Sequence, residues 1–377
     1  MSLSYVPPHK RRVDKDSNAA TVPDRSGTNE IFFCEAFSFV RCINLARRSE
    51  QWDRFCHHGR RIGSEFLKKV VRFDAVDGKE AILQLQGVAI AASDVSEDAN
   101  ITRKSAASIS STNSMGRIGI DVAWEWDTTQ NSLWDRHVAP GIIRQMTAGE
   151  IGCALSHISL WKELAKNETE DRESTIGSNG CIQNETNKEQ AIQPDSLSML
   201  ILEDDAAFLK QSHRRYTKKG YSEKVKQIQS AGDKSGDRFL KAFRTAHNIL
   251  PGDWDIFYLG FSDRGERRDV ISSRTAGDFE EEDDFVVQIF KPIYGFHTHA
   301  YAINQSASKK LLENLPVVGP IDVWLADNQW FGLNVYCAIV ANEGWKNSGT
   351  QLVGQDRSVA IASSVGHSGR RQNRPDD

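Results

Sequence analysis

The chain has 377 residues, of which 39% are hydrophobic, and this is enough for a sizeable core in one or two domains. Its 47 Lys and Arg residues nearly balance its 51 Asp and Glu residues, so the formal net charge is −4. The sequence has no basic domain or arginine-rich stripe and no apolar run near the roughly 18 residues of a membrane span. We therefore expect neither a nucleic-acid partner nor a membrane-spanning segment.

The cysteines and the N-terminus bear on the cellular compartment. Six cysteines are scattered without a CxxC pair, which predicts neither a zinc site nor a disulfide framework. The N-terminus lacks the apolar core of a signal peptide, so the sequence as written predicts a cytoplasmic protein. A wrongly assigned start codon would hide a targeting segment and would place the protein in the secretory lumen instead.

Composition divides the chain into one domain with polar additions. Residues 1–34 are polar and contain several prolines, which predicts a disordered tail, and residues 347–377 predict a flexible C-terminal tail. We place a single catalytic domain between them, over residues 35–346. Polar stretches predict disordered insertions in this domain at about 90–114, 166–196, 211–237 and 263–286.

The domain begins with a strand-helix-strand pattern. Residues 37–45 alternate in polarity as a strand does, and residues 50–70 carry apolar side chains at helical spacing. Residues 73–76 predict a second short strand, which Asp77 and Gly78 end in a turn. This order is typical of an α/β protein.

A helix is predicted to begin after Thr147. Glu150 follows this threonine by three residues, which is the spacing of a capping box. Gly152 and Ala154 are small enough to let another backbone approach the helix closely. His157 is polar on a mostly apolar helix, and it is either a hydrogen-bonded core histidine or a ligand contact.

Three consecutive acids follow an apolar run. Residues 198–202 predict a buried strand, and Glu203, Asp204 and Asp205 stand where it leaves the core. Ligands of open α/β sheets bind outside the carboxyl ends of strands, and adjacent acids repel unless a cation or hydrogen bonds offset their charge. Oxygen ligands of this kind suit Mg²⁺ or Mn²⁺. Alternatively, Asp204 or Asp205 caps a helix that begins at Ala206.

The C-terminal half continues the alternation of helices and strands. Strands are predicted over residues 254–260, 294–303 and 335–340, helices over 239–250 and 306–315, and a turn or helix over 320–325.

Several of these segments share a resemblance. The more specific ones are residues 149–157 and the acidic strand end at 202–205, and the weaker ones are 43–45, 75–78, 254–260, 300–301 and the Pro320-Ile321-Asp322 motif. In order and spacing they resemble glycosyltransferase family 25, which includes bacterial lipooligosaccharide galactosyltransferases and eukaryotic collagen galactosyltransferases.

The resemblance implies a fold and a reaction. The fold is of GT-A type, a Rossmann-like nucleotide-sugar-binding α/β domain, for which we expect a mixed, mainly parallel sheet interrupted by polar insertions. The reaction is an inverting transfer of a sugar, with galactose as the first candidate, from a UDP-sugar to a hydroxyl of a glycan or protein. The alternative is a catalytically degenerate family member that serves as a nucleotide- or carbohydrate-binding module.

The resemblance also implies the metal ligands and the base. Alternate residues at a strand end point to the same side, so Glu203 and Asp205 are expected to hold Mn²⁺ or Mg²⁺ as in a DxD motif. Asp204 would then contact the sugar or ribose, or cap a helix. Asp322 matches the Pro-x-Asp motif and is expected to be the general base, or else to cap the helix that starts at Val323.

The remaining candidates are contacts to the nucleotide sugar. Asn44, Arg47 and Asp77 lie at the ends of the first two strands, where base, ribose and phosphate contacts are expected. Arg47 is alternatively a surface charge. Glu150 and His157 belong to the more specific family segment and are likewise expected to contact the nucleotide sugar.

Overall fold

The computed structural model describes ten stretches of the chain, which are residues 25–84, 118–137, 140–167, 197–209, 235–263, 270–276, 285–293, 295–327, 331–341 and 349–355. The predicted insertion at 90–114 lies outside these residues. So do 168–196 and 211–234 of the next two predicted insertions.

Helices and strands alternate along much of this part of the chain. The helices are α1 (Arg25–Glu35), α2 (Ser49–Gly59), α3 (Ser64–Lys69), α4 (residues 78–84), α5 (Ser132–His137), α6 (Ala148–Lys166), α7 (Ser235–Ile249), α8 (Gln305–Glu313) and α9 (Ile321–Ala326). The strands are β1 (Phe39–Asn44), β2 (Val70–Asp74), β3 (Glu125–Asp127), β4 (Ile143–Gln145), β5 (Ser198–Glu203), β6 (Ala206–Phe208), β7 (Ile256–Asp263), β8 (Val270–Ala276), β9 (Phe285–Phe290), β10 (Gly295–Asn304), β11 (Val335–Ala341), β12 (Gly349–Gln351) and β13 (Val353–Gln355).

Nine of the described strands form one sheet, in the order β2-β1-β5-β10-β7-β11-β9-β8 with β12 beside β11. The pairs β1/β2, β1/β5 and β7/β11 are parallel, and the other pairs of this sheet are antiparallel. The α/β class and the mixed sheet are therefore confirmed, but the expectation of a mainly parallel sheet was wrong. An apolar run identifies a buried strand without giving the direction of its neighbours, and β10 runs antiparallel between β5 and β7.

The sheet is covered on both faces by apolar side chains. Met199 and Ile201 of β5 face a core built with α6, α8 and α9, whereas Leu200 and Leu202 face a second core built with α1, α2, α3 and α7. Because β5 is buried on both sides, its sequence is a continuous apolar run rather than an alternating one.

Helix α1 corrects the predicted N-terminal tail. Phe33 is fully buried, and its ring centroid lies 4.6 Å from that of Phe243 on α7. Glu30 accepts hydrogen bonds from the backbone N–H groups of Glu65 and Phe66 and so caps α3. Residues 25–34 are therefore part of the folded domain, because a few aromatic side chains anchor a segment whose average composition is polar.

Three strands lie in other segments that were predicted to be disordered. Strand β8 falls within the predicted insertion at 263–286, of which residues 264–269 and 277–284 are outside the described part. Strands β12 and β13 fall within the predicted tail at 347–377, and both Leu352 between them and Val353 at the start of β13 are fully buried. Strand β8 is mostly polar, and β12 and β13 have three residues each, so local composition did not reveal these strands. No helix in the described part of the chain is long and apolar enough to cross a membrane.

Candidate active site

The site forms at the carboxyl end of β5, in the middle of the sheet. Glu203 is the last residue of this strand and lies opposite Ile43 of parallel β1. On the other side, Ala300 of antiparallel β10 lies opposite Leu202. The chain that enters β10 therefore passes beside the acids that leave β5.

An acid-histidine cluster lies at this edge. Glu203, Asp205 and His299 each place one possible ligand atom within 4.8 Å of those of the other two. Nδ1 of His299 is 3.7 Å from Oε2 of Glu203 and 3.6 Å from Oδ1 of Asp205, and its side chain is 4% exposed. This buried nitrogen has no hydrogen-bond partner among the described residues.

The cluster fits a divalent cation. With bonds of about 2.1 Å, adjacent ligands of one Mg²⁺ lie about 3.0 Å apart and opposite ligands about 4.2 Å apart, and the separations of 3.6 and 3.7 Å around His299 lie between these values. Two carboxylate oxygens and one imidazole nitrogen also suit Mn²⁺. The structure thus brings together the two predicted ligands and places His299, which the sequence analysis did not identify, beside them.

An irregularity in β10 places two consecutive side chains, Thr298 and His299, next to Glu203. The pairing of β10 with β7 shifts register between Phe296 and Ala300, and His297 has a positive φ of 69°. Adjacent residues of a regular strand point to opposite faces, but here Thr298 and His299 both reach Glu203. The hydroxyl of Thr298 donates to Oε1 of Glu203 at 2.5 Å.

The charges within the cluster compensate one another. Burial opposes the cationic form of His299, but the carboxylates of Asp205 and Glu203 outweigh burial and raise its pKa to about 9. Burial likewise opposes the anionic form of Glu203, and the imidazoles of His157 and His299 reverse this and lower its pKa. Without a cation, a protonated His299 therefore stands between two carboxylates.

Asp204 is turned toward β1 instead of the cluster. Nδ2 of Asn44 donates to Oδ2 of Asp204 at 2.6 Å and to the carbonyl of Arg48 at 3.1 Å. Burial and the neighbouring acids raise the pKa of Asp204. The chain continues from Asp205 into strand β6, so the alternative that Asp204 or Asp205 caps a helix beginning at Ala206 was wrong.

Arg47 and Asp77 meet beyond the ends of β1 and β2. They form an ion pair in which Arg47 is half exposed, and Asp77 also accepts from the backbone N–H of Lys79 at the start of α4. The two strand ends therefore bring these residues together, as their positions in the sequence suggested. Their contact with a nucleotide remains a prediction.

The carboxylate of Glu150 already has hydrogen-bond partners at the N-terminus of α6. The capping box with Thr147 is present as predicted, and Arg144 donates to both carboxylate oxygens of Glu150 at 2.9 and 2.6 Å. Although burial opposes it, these hydrogen bonds lower the pKa of Glu150. The structure gives this carboxylate a structural role, and its nucleotide contact remains a prediction.

His157 lies in the core behind the acids. It is fully buried, with Nδ1 2.8 Å from the hydroxyl of Tyr301 and Nε2 3.7 Å from Oε1 of Glu203. It is therefore a hydrogen-bonded core histidine that also faces the site. Cys153, His157 and Glu203 form a second group whose possible ligand atoms lie within 4.8 Å of one another.

The carboxylate of Asp322 is connected to β10 by a hydrogen bond from a backbone N–H group. It lies in the first turn of α9, where Oδ1 accepts from the N–H of Val323 and Oδ2 accepts from the N–H of His297, both at 3.0 Å. The residue at the N-cap position of α9 is Pro320. The irregular part of β10 thus contacts both the acid-histidine cluster and the predicted base.

Sequence reasoning missed Thr298, His299 and Tyr301 as site residues. The strand that contains them was predicted, but the direct signal for their role is its antiparallel pairing with β5. That pairing joins segments about 100 residues apart and cannot be obtained from local periodicity.

Comparison with known proteins links part of the chain to one family. The model of glycosyltransferase family 25, described as an LPS biosynthesis protein, matches residues 61–172. This segment contains Asp77, Glu150 and His157 and ends before the acids of β5. No curated protein matches the chain. The family match supports a glycosyltransferase, with a sugar donor and an acceptor as its substrates.

Proposed function

We propose that this protein is a metal-dependent inverting glycosyltransferase. It would move a sugar, with galactose as the first candidate, from a UDP-sugar to a hydroxyl of a glycan or protein. Besides the family match, one observation carries the proposal: the buried Nδ1 of His299 lies between Glu203 and Asp205 without a hydrogen-bond partner among the described residues. An unpartnered buried nitrogen beside two carboxylates is a set of donors that a divalent cation can occupy.

Three residues would hold the cation. Glu203, Asp205 and His299 supply two oxygens and one nitrogen, and this set favours Mn²⁺ while permitting Mg²⁺. When bound, the cation offsets the negative charge that develops on the departing diphosphate.

The nucleotide sugar would lie across the ends of β1, β2 and β5. Arg47 offers a guanidinium for phosphate oxygens, and Asp77 offers a carboxylate for ribose hydroxyls. The buried Oδ1 of Asn44, which accepts no hydrogen bond from the described residues, is an acceptor for a ligand N–H or O–H. Asp204 stands beside it, in reach of a sugar or ribose hydroxyl.

Asp322 would take the proton of the acceptor. Inversion in a single displacement needs a base outside the cation site, and Asp322 is held in place by the N–H groups of His297 and Val323. Each carboxylate oxygen accepts one of these bonds and keeps a second lone pair for the attacking hydroxyl.

The test is a screen of nucleotide sugars by thermal unfolding with and without Mn²⁺, followed by turnover assays. A ligand that binds the folded state raises the midpoint, so we expect a UDP-sugar to raise it with Mn²⁺ and to lose this effect in EDTA. Asp205→Ala should abolish both the Mn²⁺ effect and turnover. Asp322→Asn should keep the Mn²⁺ effect and lower kcat about 10²- to 10⁴-fold.

Asp53→Ala, which removes an exposed carboxylate of α2, is the matched control and should behave as the parent protein. Equal turnover in excess EDTA contradicts the role of the metal. Binding of UDP-sugars without turnover on a broad panel of acceptors contradicts the transferase and favours a binding module.

A further inference from the structure

A buried hydrogen-bonded group of three side chains ends at Nε2 of His157, which faces the candidate metal ligand Glu203 and has no hydrogen-bond partner among the described residues. The indole Nε1 of Trp161 donates to the hydroxyl oxygen of Tyr301 at 3.0 Å, and this oxygen is 2.8 Å from Nδ1 of His157. The other ring nitrogen of His157, Nε2, faces Oε1 of Glu203 at 3.7 Å. Trp161, Tyr301 and His157 are all fully buried.

The positions of the protons follow from donor and acceptor chemistry. An indole nitrogen can only donate, so the oxygen of Tyr301 is the acceptor in its bond with Trp161. The hydroxyl of Tyr301 also carries one proton of its own, which it donates to an acceptor. Among the described residues, Nδ1 of His157 is the acceptor within hydrogen-bonding distance. Nδ1 is then without a proton, and neutral His157 carries its proton on Nε2.

We propose that Tyr301 and Trp161 fix His157 in the Nε2–H tautomer, so that His157 is a positioning residue for Glu203 and not a ligand of the cation. The inference rests on the proposed function for the existence of a cation site. In this arrangement the Nε2–H group is directed at a carboxylate whose orientation decides whether the cation is held.

The two carboxylate oxygens of Glu203 have different contacts. Oε1 accepts from the hydroxyl of Thr298 and faces Nε2 of His157, whereas Oε2 faces Nδ1 of His299 on the side of Asp205. Donors on one oxygen orient the carboxylate and leave the other oxygen for the cation. Hydrogen bonds of this kind around a metal ligand commonly change metal affinity by about ten- to a hundredfold.

The opposite tautomer has a different consequence. With the proton on Nδ1, the bare Nε2 of His157 would join the thiol of Cys153 and the carboxylate of Glu203 as a second set of metal ligands. Sulfur and imidazole ligands select Zn²⁺ over Mg²⁺ or Mn²⁺. The two tautomers therefore predict different metal selectivity.

The first test reads the tautomer directly. The full-length, metal-free protein is labelled with ¹⁵N-histidine, and long-range ¹H–¹⁵N spectra are recorded, with His157 assigned by the signal lost in His157→Gln. We expect the pattern of an Nε2–H imidazole in the parent protein and a mixture of tautomers in Tyr301→Phe. An Nδ1–H pattern in the parent protein overturns the proposal.

The second test measures metal affinity by electron paramagnetic resonance of free Mn²⁺. Glutamine can place its amide nitrogen near the position of Nε2, whereas the shorter asparagine reaches only the position of Nδ1. We therefore expect His157→Gln to bind Mn²⁺ within about threefold of the parent protein, and His157→Asn to bind about ten- to a hundredfold more weakly. Equal affinities of these two variants overturn the positioning role, as does loss in both variants as complete as in Asp205→Ala.

The two proposals fail in distinguishable ways. A parent protein that binds no Mn²⁺ contradicts the proposed function, while the NMR pattern still tests the tautomer. Thermal unfolding without metal shows which variants are folded. If Tyr301→Phe does not fold, the Gln and Asn variants of His157 still decide the outcome, because both retain the bond between Trp161 and Tyr301. Tight Zn²⁺ binding that Cys153→Ser abolishes also overturns the proposal.

Discussion

The three acids at the carboxyl end of β5 have two different partners. Asp204 is held by the amide of Asn44, while Glu203 and Asp205 share the buried imidazole of His299. Carboxylates this close together repel unless their charge is offset, and a protonated His299 offers that compensation when no cation is bound. His299 therefore contributes to the stability of the metal-free protein and, in our proposal, binds the cation.

The stability of the metal-free protein should depend on pH through His299. Its pKa is raised from 6.5 to about 9, so the folded state binds this proton more tightly than the unfolded state does. The stabilisation is fully present below pH 6.5 and is lost as the pH rises through about 9. We expect the free energy of unfolding, measured by urea titration in EDTA, to fall by on the order of 3 kcal/mol over this range.

The control for this pH dependence is a pair of histidine variants. His299→Asn should remove most of the decline between pH 6.5 and 9, whereas His57→Gln, which replaces an exposed histidine of α2, should retain it. Other groups also titrate in this range, so the difference between the two variants is the quantity of interest. A decline of the same size in His299→Asn would exclude His299 as its source.

For individual residues, sequence reasoning could find Glu203 and Asp205 but not the histidine that lies beside them. Glu203 and Asp205 were selected because alternate residues at a strand end share a side, and the structure places both beside His299. His299 belongs to a distant strand, and its side chain reaches Glu203 only because β10 is irregular there. Such an irregularity has no local signature in the sequence.

Among the secondary structure elements, α6 is held against the loop that carries Asp77. A Cβ added at Gly152 would lie 2.5 Å from the carbonyl oxygen of Val76 and 2.8 Å from the nitrogen of Gly78. The hydroxyl of Ser156 accepts a hydrogen bond from the N–H of Val76 in the same region. The prediction that Gly152 permits a close approach of backbone is confirmed by this contact.

Replacing this glycine should separate the two elements. In Gly152→Ala the new methyl group meets backbone atoms that cannot rotate away, so we expect the free energy of unfolding to fall by about 1–3 kcal/mol. Gly149→Ala is the matched control on the same helix, because no atom lies within 4 Å of an added Cβ there. Alanine favours a helix over glycine, so the control should be neutral or slightly stabilising. Urea midpoints measure both, and equal midpoints would exclude a close contact at Gly152.

Elements with strong local signals were predictable, and the way they assemble was not. The capping box of Thr147 and Glu150 marks the start of α6 because both halves of the motif lie within four residues. The direction of β10 depends on how the chain returns to the sheet after β9, which periodicity does not encode. A mixed, mainly parallel sheet was expected from the family resemblance, and the structure has a mixed, mostly antiparallel sheet instead.

Over the whole molecule, chain segments from far apart complete the domain. Helix α1 adds Phe33 to the core beside α7, and the C-terminal strands add Leu352 and Val353. Their sequences are polar on average, so composition predicted tails. A few buried side chains are enough to order such segments when the partner surface already exists, and that surface is a property of the fold rather than of the segment.

The C-terminal strands should be needed for the cation site as well as for stability. Strand β13 pairs with β6, which directly follows Asp205, and Leu352 and Val353 are fully buried. Deleting residues 349–377 removes both side chains. Truncating one buried leucine to alanine already lowers the free energy of unfolding by about 2–5 kcal/mol. We expect this deletion to lower the urea midpoint and to abolish Mn²⁺ binding. Deletion of 356–377 is the control, because the difference between the two proteins isolates residues 349–355. Equal midpoints and equal Mn²⁺ affinities would show that the site forms without these strands.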